Sequence, residues 1–337
     1  MKAIAIEGDF GFANLNLIER SPLPCGPGQV RLKMRAVSLN YRDLLMTQGH
    51  YNPRQPLPLI PCSDGVGVVT EVGAGVTDLK EGTRVMPLFA QGWTGGEPTA
   101  AKFKTTLGGP LDGTLAEEMV LDRSGVIPAP SHLTDAEASC LPCAAVTAWS
   151  ALVTQGQLRA GETVLIQGTG GVSIFALQFA VLLGARAIVT SSSNAKLERA
   201  IELGAWKTIN YNEDPRWGRT ARSLTEGRGV DLVVEVGGTG TLEQSLKAVR
   251  VGGTVVMIGV LSGVKAPLLI TPILMQQLRI QGILVGSGEG FAAMNRAIEA
   301  HNLRPIVHAT YPFDQTRQAM EDMLKGNHFG KLTIALP

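Results

Sequence analysis

Thr-Val-Leu-Ile-Gln at 163–167 runs directly into Gly168-Thr169-Gly170-Gly171-Val172-Ser173, and then into the apolar stretch Ile174 to Ala185. No residue from Thr163 to Ala185 is charged, and a run of about 20 apolar residues is long enough to span a bilayer. The glycine cluster argues against a span, because it divides the run into a short β-type piece and a longer helical piece, with Gln167 and Gln178 inside them. A buried strand that turns sharply into a helix accounts for all of it.

The same alternation continues downstream. TVLIQ, ARAIVTS, KTINY, VDLVVEV, TVVMIG and LRIQGILV read as strands, most of them apolar on both faces, and SIFALQFAVLL, NAKLERAIEL, RWGRTARSLTE and TLEQSLKAV read as helices between them. Parallel strands need crossover helices, so this pattern predicts an α/β unit with a doubly wound parallel sheet. Upstream, short runs such as VRLKMRAV, VGVVTEV, TRVMPLF and AEEMVL are broken by Gly and Pro and predict a β-rich, barrel-like domain. The segment SCLPCAAVTAWSAL reads as helical. After about residue 290 the style changes to helix, strand, helix, strand, and this tail is expected to pack back onto the first domain. The expected division is therefore 1–124 completed by 290–337, with 125–289 as the parallel-sheet domain.

A length of 337 residues suits two domains. Thirty basic residues against 29 acidic ones leave a net charge of +1, with no basic block to attract nucleic acid or an anionic membrane. The partner expected is a small molecule. The opening MKAIAIEGDF turns acidic before a signal-like apolar core forms, so the cytoplasm is the expected location. Cys25, Cys62, Cys140 and Cys143 show no disulfide pattern, and the CxxC formed by the last two lacks a second pair or a redox setting. His50 adjoins Tyr51, while His132, His301, His308 and His328 are scattered without metal-ligand spacing. No GxSxG or kinase-type loop supports a hydrolase or a phosphotransferase.

Gly168, Gly170 and Gly171 lie where helix N-terminal amides are uncovered. One glycine permits the turn, the next lets the backbone approach a ligand, and the helix dipole favours an anion, so a dinucleotide pyrophosphate fits there, with Val172 in the same turn. Ser173 stands in the third position of GxGxxG. The next strand ends in VTSSSNAK rather than in the carboxylate that would hold ribose hydroxyls. Ser191, Ser192 and Ser193 offer hydrogen bonds, and Lys196 and Arg199 offer charge, which predicts NADPH rather than NADH.

Taken with VSLNYRDLLMTQGHY, PCSDGVGVVTEVGAGV, AAVTAWSAL and the final GKLTIAL, these residues resemble the medium-chain dehydrogenase/reductase superfamily, and more narrowly its zinc-independent quinone oxidoreductase branch. The resemblance runs the length of the chain. It implies a GroES-like catalytic domain, a Rossmann domain and an active site in the cleft between them. It also places Thr147 and Val285, with Gly286, beside the nicotinamide, and Ser192, Lys196 and Tyr211 around the 2′-phosphate. Gly330 and Lys331 are more distant candidates for cofactor contact. LRIQGILVG becomes the Rossmann edge strand, which wants a partner and implies a homodimer.

The catalytic zinc ligands of the superfamily fall on Asn40, Ser63 and Cys143. Only one of the three is a ligand type, and zinc needs about three, so no metal is expected. The stretch MPLFAQGWTGGEPTAAKFKTTLGGP also lacks the cysteines of the family's structural zinc. Without a Lewis acid an unactivated alcohol is hard to oxidise, whereas a quinone or an α,β-unsaturated carbonyl needs only a hydrogen-bond donor and a proton. Tyr51 matches the tyrosine that related enoyl reductases use near the substrate carbonyl, and Asn40 is a second candidate donor. Arg42 and Asp43 can form a pair that holds their loop, and the loop 90–110, with Trp93 and Phe103, is expected to shape the pocket. Two other readings stay open: an alcohol dehydrogenase with a degenerate zinc site, and an NADPH-binding protein without turnover.

Overall fold

The computed structural model describes residues 1–337. The strands before residue 130 are β1 (Lys2–Ile6), β2 (Leu15–Glu19), β3 (Gln29–Ser38), β4 (Asp64–Val72), β5 (Arg84–Pro87), β6 (Glu118–Asp122) and β7 (Val126–Pro128). Then follow β8 (Thr163–Gln167), β9 (Arg186–Ser191), β10 (Lys207–Asn210), β11 (Val230–Glu235), β12 (Val249–Met257) and β13 (Arg279–Gly282). The last two are β14 (Val307–Pro312) and β15 (Lys331–Ala335). The chain forms two compact units, one of Met1–Val146 with Gly286–Pro337 and one of Thr147–Val285.

In the first unit β14, β15, β3, β4, β5 and β7 lie side by side in that order, and β6 pairs with β3. β3 is the hub, bonded antiparallel to β4, β6 and β15. It can serve three neighbours because it is ten residues long, and its alternation sends Val30, Leu32 and Met34 into the core. The tail joins this sheet through β15, whose Thr333 faces Ser38 and whose Leu332 and Ile334 are buried.

The unit boundaries differ from the expected 124 and 290, and hydrogen bonding explains both shifts. β7 pairs with β5, and the helix Asp135–Ser139 packs on β3 and β4, so residues 125–146 belong to the first unit. At the other end the backbone N–H groups of Gly288 and Glu289 donate to Trp93 and Thr94, which brings the start of the helix Gly288–Ala300 into the first unit as well.

The second unit is a six-stranded sheet in the order β10, β9, β8, β11, β12, β13, parallel throughout. Counted from β8 this is 3-2-1-4-5-6, the Rossmann order. Every residue of β8 and of β11 is buried, as expected for central parallel strands covered by helices on both faces. The crossover helices are Gly171–Leu182, Asn194–Glu202, Trp217–Leu224 and Leu242–Ala248. β13 is shorter than its apolar run suggested: pairing ends at Gly282, and β12 is its one neighbour. No helix is long and apolar enough to cross a membrane.

The stretch from Asp135 to Thr154 is helical as expected, but two π-helical turns interrupt it at Leu141–Ala145 and Ser150–Thr154. Pro142 lies in the first of them, where its missing N–H cannot extend a regular α-helical ladder.

β11 carries an acid at each end, and periodicity did not anticipate either as core. Asp231 accepts from the Thr163 N–H at 2.9 Å, from Arg228 at 2.6 and 3.0 Å and from Arg250 at 2.7 Å, so one carboxylate ties β8 and β12 to β11. Burial opposes its ionisation, but Arg228, the Thr163 amide and Arg250 outweigh burial and hold its carboxyl down at about 2. An unfolded aspartate titrates near ~3.9, so this contribution to stability is complete above that value and is lost as the pH falls toward 2. Asp231→Asn should cost about 1–3 kcal/mol at neutral pH. In urea unfolding, the gap between the native protein and this variant should close as the pH is lowered toward 2; a gap independent of pH would contradict the assignment.

Candidate functional site

In the second unit β8 ends at Gln167, and Gly168 adopts φ 73°, a left-handed conformation open to glycine and strained for most other residues. Gly170 precedes the helix Gly171–Leu182 with extended backbone and no capping side chain, and a Cβ added to it would meet nothing within 4 Å. The first N–H groups of the helix therefore face an open approach, with Gly171 and Val172 as its first two residues. Ser173 is buried and turns its hydroxyl back to the Gln167 carbonyl at 2.6 Å. That bond explains a serine at the third position, because it closes the turn onto the strand it came from.

Ser192, Lys196 and Tyr211 lie together at the carboxyl ends of β9 and β10. Asn210 faces Ser191 in the ladder, the Tyr211 N–H donates to the Ser191 carbonyl at 3.1 Å, and Ser193 caps the helix Asn194–Glu202 by accepting from the Lys196 N–H. Burial and the neighbouring Arg199 guanidinium both push the Lys196 ammonium below the usual lysine range. β9 ends in Thr190 and Ser191, so the strand end beside these two cations carries no charge of its own. Thr147 and Val285, both buried, are the first and last residues of this unit. Val285 has φ 52°, a strained conformation for a β-branched residue.

At the carboxyl end of β11, Glu235 is fully buried and accepts from Gln167 Nε2 at 2.7 Å, Thr241 Oγ1 at 2.6 Å, the N–H groups of Gly237 and Gly238 at 2.9 and 3.0 Å, and the Ser245 hydroxyl. Gln167 Oε1 in turn accepts from the Val236 and Gly237 N–H groups. The carboxylate thus fixes the residue that starts the glycine turn and the loop that follows β11, the two strand ends on either side of the point where the strand order reverses.

In the first unit a second polar group of residues is buried. Lys331 opens β15, and its ammonium donates to the Leu39 carbonyl at 2.5 Å and to Asn40 Oδ1 at 2.7 Å, with Asp64 Oδ2 at 3.9 Å. Asn40 precedes the helix Tyr41–Thr47, where Asp43 Oδ2 accepts the Asn40 backbone N–H at 2.8 Å. Ser63 donates to Asp64 Oδ1 at 3.2 Å. Burial drives the Asp64 carboxyl up to about 7 even though Lys331 and Asn40 pull it down. Asp43 is also raised by burial, and the Cys143 thiol is raised by burial and by the Asp64 charge.

Arg42 does not mainly bind Asp43, from which it stands 3.9 Å away. It donates to the Leu107 and Gly109 carbonyls and lies 5.0 Å from the Tyr51 ring and 4.9 Å from the Phe89 ring. Tyr51 is about half exposed, and no hydrogen bond joins its side chain to the buried group that holds Asn40. In the loop expected to shape a pocket, Trp93 and Phe103 meet edge to face at 5.5 Å.

The three positions to which the resemblance assigns zinc ligands hold an amide, a hydroxyl and one buried thiol, with the Lys331 ammonium bonded to the amide oxygen. No three His, Cys, Asp or Glu side chains converge as a metal site. The residues that sequence reasoning missed are the buried ions. Lys331, considered there for cofactor contact, is instead enclosed against Asn40; Asp64 and Glu235 are charged residues within strand patterns, where sequence offers no sign of their burial.

Glu235→Ala would leave the Gly238 N–H without its acceptor and take one acceptor each from Gln167 Nε2, the Gly237 N–H and the Thr241 and Ser245 hydroxyls, and should destabilise the protein by about 3 kcal/mol or more. A denaturation midpoint within experimental error of the native protein's would show that the network carries no weight.

The family model "Alcohol dehydrogenase GroES-like domain" matches residues 26–131, and "Zinc-binding dehydrogenase" matches residues 171–300. A zinc-type alcohol dehydrogenase-like protein of Schizosaccharomyces pombe is 41% identical over 321 residues, covering 94% of this chain and 93% of the relative. The crystal structure of a putative alcohol dehydrogenase from Sinorhizobium meliloti superposes with a TM-score of 0.92 at 40% identity, over 99% of this chain and 98% of that one. A crotonyl-CoA carboxylase/reductase, AntE, solved in complex with NADP, reaches 0.87 at 26% identity over 99% and 94% of the two chains. With its GroES-like first unit and its Rossmann second unit, the chain belongs to the medium-chain dehydrogenase/reductase superfamily and is an oxidoreductase of that group.

Proposed function

We propose that this oxidoreductase uses NADPH and transfers hydride, without a metal, to a quinone or to the β-carbon of an α,β-unsaturated carbonyl. The observation that carries the reading is the donor set at the zinc-ligand positions. Asn40, Ser63 and Cys143 offer hydrogen bonds in place of a Lewis acid, and hydrogen bonds suffice only for an acceptor that is already electron-poor. The likeness to a crotonyl-CoA carboxylase/reductase solved with NADP supports an enoyl-type acceptor.

When bound, the dinucleotide supplies the hydride. The glycine turn at Gly168, Gly170, Gly171 and Val172 would hold the pyrophosphate on helix amides, Ser192, Lys196 and Tyr211 would hold the 2′-phosphate, and Thr147 and Val285 would contact the nicotinamide. Asn40 donates a hydrogen bond to the acceptor oxygen as charge grows on it, and Tyr51 supplies the proton that completes the reduction. Four free cysteines suit a reducing compartment, and the cytoplasm is our reading.

The test is NADPH consumption by chelator-treated protein, with a p-quinone, a simple enone and a primary alcohol plus NADP⁺ in parallel. Turnover of a quinone or an enone is expected. Turnover of the alcohol alone, or stoichiometric zinc retained after dialysis, would favour a metal-dependent alcohol dehydrogenase, and binding without turnover would favour a nucleotide-binding role. Lys196→Ala should weaken NADPH binding about tenfold or more and leave NADH within about threefold, since one charged hydrogen bond is worth roughly 1.5–3 kcal/mol.

We further propose a homodimer formed by antiparallel pairing of β13 with its twin. Its outer edge is unpaired, and Ile280, Leu284, Leu274 and Met275 expose apolar surface beside it. Ile280→Lys should move the light-scattering mass from twice the chain toward one chain; a native protein that is already monomeric would remove the proposal.

A further inference from the structure

Lys331 has no part in the function as proposed above, yet it is almost completely buried and two of its three protons are accounted for on Leu39 and Asn40. An ammonium donates and cannot accept, so the only end of the Asn40 amide it can bind is the oxygen. Asn40 precedes a helix, where an asparagine oxygen ordinarily accepts from the first turn of amides. Here the Asn40 side chain and Asp43 form a reciprocal capping box, in which Asp43 accepts the Asn40 backbone N–H, and the same amide oxygen also accepts from Lys331. The amide cannot flip without setting its own N–H groups against the ammonium.

The consequence lies at the other end of the same amide. Asn40 is more than nine-tenths buried, and its Nδ2 has no hydrogen-bond partner. The Asp64 carboxyl is near enough to be stabilised by it. Nδ2 carries two protons, however, and with one turned toward Asp64 the other is still uncommitted. Ser38 Oγ and Asp64 Oδ2, which face each other across β3 and β4, are also buried without partners, so the unfilled hydrogen-bonding capacity is concentrated around Asn40.

We propose that Lys331 is a positioning residue: its ammonium locks the Asn40 amide with the oxygen inward, so that Nδ2 is the group presented to the acceptor oxygen. This deepens the reading of Asn40 as a hydrogen-bond donor and rests on it. Lys331 thus acts on the substrate through the Asn40 amide.

The experiment is a double-mutant cycle of Lys331→Met and Asn40→Ala, read as kcat, KM for the acceptor and Kd for NADPH, with each variant checked by circular dichroism and thermal midpoint. Removing one donor of this kind costs about 100- to 1,000-fold in kcat. Lys331→Met should lower kcat by about tenfold or more with little change in the Kd for NADPH, and Lys331→Arg should restore most of the loss. In the Asn40→Ala background Lys331→Met should have almost no further effect, because the residue through which it acts is gone. Additive losses, or a kcat for Lys331→Met within about twofold of the native value, would overturn the assignment and leave the enone or quinone reading intact. Absence of native turnover with every quinone and enone would remove that reading and this role with it. If Lys331→Met does not fold, Lys331→Gln replaces it: glutamine both donates and accepts, so it no longer dictates which end of the amide faces it, and a kcat equal to that of Lys331→Arg would overturn the proposal.

Discussion

Parallel strands that are buried on both faces leave few routes for joining one strand end to the next, and β11 solves the problem with charge. Asp231 at its start and Glu235 at its end are each held inside the sheet by donors from neighbouring strands, turns and helices. Between them lie Leu232, Val233 and Val234, fully packed. A buried carboxylate is costly unless every lone pair is served, and at Glu235 five donors from three segments serve it. The cost of desolvation thus becomes a constraint on geometry: the carboxylate can stay only if Gln167, the loop after β11 and the helix Leu242–Ala248 stand where they do.

That constraint prepares the glycine turn. Gln167 is both the last residue of β8 and a partner of Glu235, and its backbone carbonyl receives the Ser173 hydroxyl. The strand end, the turn and the first turn of the helix are therefore fixed before any ligand arrives. This is the condition for uncovered helix amides to act as an anion site at low cost in ordering. The helix itself has a nearly uniform apolar composition and is held in place by burial, with Phe175 and Phe179 stacked at 6.0 Å and Trp149 set edge to face against Phe179.

In the first unit the constraint is different in kind. Three charged side chains, Lys331, Asp64 and Asp43, lie in a region with little access to water, and they are drawn from β15, β4 and the helix Tyr41–Thr47. Cys62, immediately before Ser63 and Asp64, has φ 69°, and its carbonyl is packed so closely that a Cβ on Gly113 would approach it to 2.0 Å. Strain of this sort persists where the surroundings overdetermine it. Here it lies two residues before Asp64, whose Oδ2 stands 3.9 Å from the Lys331 ammonium. The cluster depends on the C-terminal tail, because β15 delivers the lysine from nearly 300 residues further along the chain than Asn40.

Much of this was legible in the amino-acid order. Strand and helix periodicity determined the parallel α/β unit, the glycine turn and the serine-rich end of β9 with Lys196, since each depends on residues close together in sequence, whereas Tyr211 was added by the resemblance. The resemblance to a known superfamily supplied the GroES-like architecture and the meaning of Asn40, Ser63 and Cys143. The π-helical turns around Pro142, the early end of β13 and the unit boundaries at 146 and 286 were not legible, because each is set by hydrogen bonds to distant strands and loops. Nor were the roles of Lys331, Asp64, Asp231 and Glu235, because nothing local in a strand pattern marks which charges acquire buried partners. A sequence by itself determines which side chains can ionise, and where backbone can turn. Only the tertiary structure decides which of those charges lose their water, because burial and hydrogen-bond partners come from segments that meet when the sheets close.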